Sequence, residues 1–380
     1  MVITRRALLR RLGAGAVVGV AVPFLGCISH AEGRQLPGAR HVGGPVLLNR
    51  NENAYGPSEK VLAAMREALS LIHRFPRKAS DILQGEIAIR HAVKPDQVVL
   101  GCGSTEILRM AAAAFLGPGK TLVLAAPSFD VITYYARGTG ADVVAVPLTK
   151  RYAHDLDAMA HRTDTSTSLV YICNPNNPTG TLTPRGDLEL FMRKLPTTVH
   201  VVVDEAYHHY VGGSSTYASF IDHPIDDSRV IITRTFSKIH GLAGSRIGYA
   251  IASSPVARRL SSYRLLDGVN VVAANAALAA LDDVEHLRTS AQRNTDDREE
   301  FFNQANARML RTIDSHTNFV MLNAGRPAEE LVEHFEKNNI FLPRPVGAMS
   351  NYVRVSLGTA AEMVEFWHVW DLLPPPKMSM

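Results

Sequence analysis

The 380 residues carry a formal net charge of +4 at pH 7, with 46% hydrophobic and 20% charged residues. Those values suit a soluble globular chain with one large α/β domain and a smaller one, each with its own core. The excess positive charge sits at one end. Residues 1–31 hold Arg5, Arg6, Arg10 and Arg11 and no acidic residue, and the remainder is balanced, so the charge gives no reason to invoke nucleic acid.

Thr4-Arg-Arg-Ala-Leu-Leu-Arg10 is a twin-arginine pattern, followed by a glycine-rich, moderately apolar run from Leu12 to Leu25. That run is short for a membrane span and suits an export signal, with Ser29 and Ala31 placed for cleavage after residue 31. A signal segment over residues 1–31 predicts export by the twin-arginine machinery to the periplasm or cell exterior. The alternatives are anchoring through Cys27, in a poor lipoprotein context, or an unprocessed cytoplasmic chain. After cleavage Cys102 and Cys173 remain in apolar, strand-like surroundings, which predicts buried thiols and no disulfide framework or zinc site.

Residues 32–45 read as a Gly-, Pro- and Arg-rich arm, followed by Val46-Leu-Leu48 and a polar, turn-rich segment, Asn49–Pro57. Ser58 is placed to cap a helix over Glu59–Ile72, with Val61, Leu62, Met65, Leu69 and Ile72 on one face. A second helix is expected over about Asp81–His91. Gln97–Leu100 reads as a strand running into Gly101-Cys-Gly-Ser-Thr-Glu106 and an alanine-rich helix to Phe115. The glycines permit close backbone approach, and Ser104 and Thr105 at a helix N-terminus make an anion site. A plain capped helix would also account for these residues.

Strands are expected at Thr121–Leu124, Ala141–Val146, Ser168–Cys173, His200–Val203 and Val230–Ile232. Four of them end in polar motifs: Pro127-Ser-Phe129, Asn174-Pro-Asn-Asn-Pro-Thr-Gly180, Asp204-Glu-Ala-Tyr207 and Thr233-Arg-Thr-Phe-Ser-Lys238. Strands alternating with helical segments imply a parallel sheet covered on both faces, with its polar motifs at the carboxyl edge. A lysine at that edge, with Thr235, Ser237 and Arg246 nearby, suits an aldehyde cofactor that carries a phosphate. Taken alone, the stretch is equally compatible with a surface lysine in a polar turn. Glu285–Leu310 reads as a long charged helix. Thr317–Leu322 and Tyr352–Ser356 read as strands of a smaller domain, with a helix over Pro327–Asn338 between them.

Together these motifs, with Arg354-Val-Ser-Leu-Gly-Thr359, resemble the fold-type-I pyridoxal-phosphate aminotransferases. Asn51-Glu-Asn-Ala-Tyr-Gly-Pro57 and Asn318-Phe319 resemble the histidinol-phosphate aminotransferase branch, and the likeness spans residues 46–370. It implies a three-layer α/β/α large domain with a mostly parallel sheet over residues 75–280. A smaller α+β domain would cover 281–370, joined by an arm and part of that domain over 32–74, with a tail over 371–380.

The resemblance also implies roles. Lys238 would bond pyridoxal 5′-phosphate and then move a proton. Arg246, Thr235, Ser237 and the Ser104–Thr105 backbone would cradle the phosphate. Tyr55 would reach the phosphate of a second subunit, which implies a homodimer. Asp204 would pair with the ring nitrogen, Asn177 and Tyr207 with the phenolic oxygen, and Phe129 would stack on the ring. Arg354 would grip the substrate carboxylate, Arg344 lies near a second arginine used for a distal anion, and Asn318 joins the substrate side. The roles suit the residue types: a carboxylate keeps a pyridine nitrogen protonated, and a planar guanidinium suits a carboxylate.

Three departures stand out: His209 near a usually acidic position, Ala54 where proline is common, and the basic His73-Arg-Phe-Pro-Arg-Lys78. Adjacent histidines on a strand-like segment point apart, so His208 and His209 predict no metal site. The reading is an aminotransferase working between an L-amino acid and a 2-oxo acid. A decarboxylase or oxidase on the same scaffold, or a non-catalytic binding protein, remains the alternative.

Overall fold

The computed structural model describes residues 44–374 apart from 346 and 348. The expected signal segment, Cys27 and residues 375–380 of the tail lie outside the described residues. Among those described, no helix is long and apolar enough to cross a membrane.

Eleven strands are present among the described residues: β1 (Val46–Leu47), β2 (Val98–Gly101), β3 (Thr121–Ala126), β4 (Asp142–Pro147), β5 (Thr167–Cys173), β6 (His200–Asp204), β7 (Val230–Thr235), β8 (Gly248–Ile251), β9 (Phe319–Asn323), β10 (Ile340–Phe341) and β11 (Tyr352–Ser356). Seven form one sheet in the order β2-β8-β7-β6-β5-β3-β4. Neighbours run parallel except at β8, which is antiparallel to both β2 and β7. Side chains alternate across this sheet. Val201 and Val203 pack with Leu188 and Ala277, whereas Val202 packs on the other face with Leu108 and Ala111. Helices therefore cover both faces, which is why the β6 valines follow one another without a polar break. Each such side chain contributes roughly 1.5–3 kcal/mol on burial, against about 0–1 kcal/mol for an exposed ion pair, so the apolar layers carry the stability.

A separate core joins both ends of the described chain. Val46 and Leu48 pack with Phe301, Phe335, Val355 and Phe366. β1 runs parallel to β10, and β9 pairs antiparallel with β11. Helix Ala360–Asp371 starts on a reciprocal cap, with Thr359 N donating to Glu362 at 2.7 Å and Glu362 N donating to Thr359 at 3.3 Å.

Three local expectations change. The first helix stops at Ala68 and passes into a 3-10 turn, leaving Leu69 and Ile72 56% and 66% exposed. The second begins at Arg77 rather than Asp81. Strand β8 falls just after Arg246, where the sequence predicts no strand because Gly241, Gly244 and Gly248 suggest a turn. Gly248 opens it because a Cβ there would stand 2.6 Å from the Ser104 amide nitrogen. That close approach sets the Ser104 helix beside the end of β7. On the neighbouring strands Cys173 pairs with Asp204, and Asp204 with Thr233, so the carboxyl ends of β5, β6 and β7 open level at one edge.

Candidate active site

A cavity of ≈590 Å³ opens at this edge, within the range of small-molecule sites. At its centre is Lys238, three residues beyond the end of β7. Its amine donates to the carbonyls of Arg50 at 3.2 Å and Asn51 at 3.0 Å and lies 5.6 Å from the Tyr207 ring centre. Burial, followed by the positive charge of Arg354, pulls the amine down from 10.5 to about 8.

Asp204 ends β6 on the cavity floor, 2% exposed. It accepts from the Tyr171 hydroxyl at 3.0 Å and the Ala206 amide at 3.2 Å, while burial raises its carboxyl. The Tyr207 hydroxyl accepts from Asn51 at 3.0 Å and Asn177 at 3.4 Å. Phe129 lines the same space.

One corner is built for an anion. Gly103, at φ 76°, precedes helix Ser104–Phe115, whose N-terminus has no side-chain cap. A Cβ at Gly103 would run into the Arg246 guanidinium, so glycine allows that cation to close on the turn. Arg246 donates to Ser237 Oγ at 3.4 Å, and Thr235 Oγ1 donates to Ser237 Oγ at 3.0 Å. An uncapped helix start, two hydroxyls and a guanidinium are the donor set a phosphate needs.

On the opposite side stands Arg354, from β11. It donates to Asn177 Oδ1 and to the Asn49 carbonyl, both at 2.7 Å, and its Nε is buried without a partner. An orphaned guanidinium nitrogen in a cavity wall is ready for an incoming oxyanion.

Three expected site residues lie outside this cavity. Asn318 donates to the carbonyls of Asn51 at 3.1 Å and Glu52 at 3.0 Å, fastening the segment that covers Lys238. Arg344 is exposed and pairs with Glu329 at 3.1 Å and Glu336 at 3.4 Å. The Tyr55 hydroxyl contacts Asp297 at 3.3 Å, and its ring stacks beneath Arg293. His208 and His209 form a 3-10 turn rather than a strand-like segment, with rings 4.9 Å apart. With His91, His240, Asp222 and Arg234 they line a separate cavity of ≈180 Å³. Among the described residues no group of three or more potential ligands is arranged to hold a metal ion.

Sequence reasoning missed Asn49, Tyr171 and the part played by Asn51. Asn51 is 1% exposed, in the left-handed region at φ 52°. Its amide donates to Ser356 Oγ at 2.9 Å, its side chain to Tyr207 at 3.0 Å, and its carbonyl accepts from Lys238 and Asn318. Tyr171 did carry a signal: a hydroxyl inside an apolar strand must find a partner, and Asp204 lies two residues beyond its cross-strand neighbour Val202.

The residues fit pyridoxal phosphate: an anion corner, a buried carboxylate for the ring nitrogen, an aromatic wall and a buried amine. The family model for class I and II aminotransferases matches residues 44–368. The histidinol-phosphate aminotransferase of Caldicellulosiruptor saccharolyticus is 38% identical over 75% of this chain and 79% of its own. That of Bacillus subtilis is 36% identical over 75% and 79%. The structure of the Sinorhizobium meliloti histidinol-phosphate aminotransferase in complex with pyridoxal-5′-phosphate superposes with a TM-score of 0.81, at 28% identity, over 87% of this chain and 92% of that one. The chain belongs to the class I and II aminotransferases, as a fold-type-I, pyridoxal-phosphate-dependent member similar to the histidinol-phosphate branch.

Proposed function

We propose that the enzyme takes the amino group from histidinol phosphate or an L-amino acid and gives it to a 2-oxo acid. One observation carries the reading: a lysine amine near neutral pKa shares a cavity with a buried carboxylate and an arginine whose Nε has no partner. When bound, the cofactor supplies an electron sink for the bond broken at the donor α-carbon. The protein supplies the rest. The Asp204 carboxyl, on the cavity wall, would face the cofactor ring nitrogen and favour its protonated form. Arg246, Ser237, Thr235 and the Ser104 helix start hold the phosphate. Arg354 orients the donor through its carboxylate or phosphate.

Lys238 then handles the proton. With a pKa near 8, about a quarter of it is neutral at pH 7.5, against about one part in a thousand at the ordinary value of 10.5. It can therefore take a proton from the α-carbon and return it. The residues Arg354 and Lys238 serve decarboxylation or oxidation equally well, so the product decides among these chemistries.

The exposed position of Tyr55, turned from its own cavity, supports a homodimer in which it serves the partner's phosphate corner. Arg5 and Arg6 support twin-arginine export, which would carry the enzyme out with its cofactor already loaded.

Adding cofactor to apoenzyme should produce a visible absorbance band that Lys238→Ala lacks, and that variant should lose activity by about 10²–10⁴-fold or more. An amino-donor screen with 2-oxoglutarate should yield a 2-oxo acid and the transferred amine; carbon dioxide or peroxide would point to another reaction. Capture of the cofactor needs a neutral amine, so its rate should rise with pH through about 8 and level off. Arg354→Met removes a cation that lowers the Lys238 pKa, so stopped-flow traces should shift this profile to higher pH. Mixing Lys238→Ala with Tyr55→Ala protomers should restore activity above either alone, since hybrids carry one intact site; no gain would argue against sharing. Fractionation should find Arg5→Lys/Arg6→Lys enzyme retained in the cytoplasm, and unchanged export would remove the twin-arginine reading.

A further inference from the structure

Six charged residues line the Lys238 cavity: Arg50, Glu52, Asp204, Lys238, Arg246 and Arg354. Four have counterparts in the cofactor or in the anionic end of the donor. Arg50 is exposed and free to turn into solvent. Glu52 is left without a counterpart.

Its backbone is held from several sides. The Glu52 carbonyl accepts from Asn318 at 3.0 Å. On one side Asn51 is anchored to Ser356 and Tyr207, and on the other Asn53 Nδ2 donates to the Ile239 carbonyl at 2.9 Å. Glu52 thus sits on a fixed strap above the lysine loop, with its side chain at the wall of the cavity. Its carboxylate forms no hydrogen bond or ion pair among the described residues, although its charge acts on the Lys238 amine. Its two oxygens are acceptors that no protein donor occupies, and a ligand that supplies an N–H or a cation can fill them. The same charge opposes a second carboxylate.

The geometry points to Glu52 as a specificity-determining residue that reads the far end of the amino donor. Its carboxylate pairs with a side chain ending in a cationic or N–H-bearing nitrogen group, such as imidazole or guanidinium, and disfavours one ending in a carboxylate. This rests on the aminotransferase reading of the cavity. It differs from the Arg354 contact, which takes the anionic end of the donor.

The test is amine transfer by holoenzyme from histidinol phosphate, L-arginine, L-leucine and L-glutamate, for wild type, Glu52→Gln and Glu52→Lys. Retention of the visible cofactor band in each variant establishes that the site is assembled. In Glu52→Gln, the ratio of kcat/KM for histidinol phosphate or arginine to that for leucine should fall about tenfold or more, the expected effect of a lost charge-assisted hydrogen bond. In Glu52→Lys, glutamate should gain relative to leucine. Active transfer with unchanged ratios, or an equal loss for all donors, overturns the assignment of Glu52 alone. Wild-type holoenzyme that transfers no amine from any of the four overturns the aminotransferase reading, and this assignment with it.

Discussion

The partial shelter of one lysine amine at the wall of the cavity is the condition on which this site depends. Glu52 and Asp204 both favour the charged form of Lys238, yet its pKa falls, so burial and the Arg354 charge outweigh them. The fall from 10.5 to about 8 is about 3 kcal/mol against the protonated form. No residue of the lysine loop could achieve that alone. The covering is made by residues 49–53, which reach the lysine from nearly 190 positions away in sequence, with Arg50 and Asn51 supplying the two carbonyls.

That cover links two cores. Asn51 bonds to Ser356 in β11 of the smaller core and to Tyr207 just past β6 of the larger one. Arg354, also from β11, bonds to Asn177 beyond β5 and to Asn49 in the cover. A shift of β11 would therefore move the Arg354 guanidinium and the lysine's shelter together. The two Arg354 bonds tie β11 to the lysine cover and to the loop beyond β5, so the packing of the smaller core and the shape of the cavity are set by the same hydrogen bonds.

Residues whose chemistry is local were legible in the sequence. The strand ends at Asp204 and Thr235, the glycine turn before Ser104 and the lysine loop each announce themselves by a polar motif after an apolar run, and the parallel sheet brings them to one edge. What was hidden depends on pairing between distant segments. Asn51 stands in a polar turn whose composition says only that the chain bends, and its four polar partners lie 156 to 305 positions away. Strand β8 was hidden because the glycine that starts it has the composition of a turn. Arg344 was misleading for the opposite reason: its type and position suit an anion, but two glutamates of the neighbouring helix, Ala328–Lys337, occupy it.

The first helix presents a different case. Its apolar stripe predicts burial for Leu69 and Ile72, and both remain exposed. A 3.6-residue periodicity records that a face is covered, without saying by which chain. Tyr55 lies just before this helix and points away from its own cavity, toward Asp297 and Arg293. The Tyr55 hydroxyl is taken by Asp297, and of the stripe only Leu69 and Ile72 stand exposed, since Val61 and Met65 pack into the large core. The periodicity therefore holds over the helix itself and fails where the chain tightens to three residues per turn, which carries Leu69 and Ile72 off the packed face.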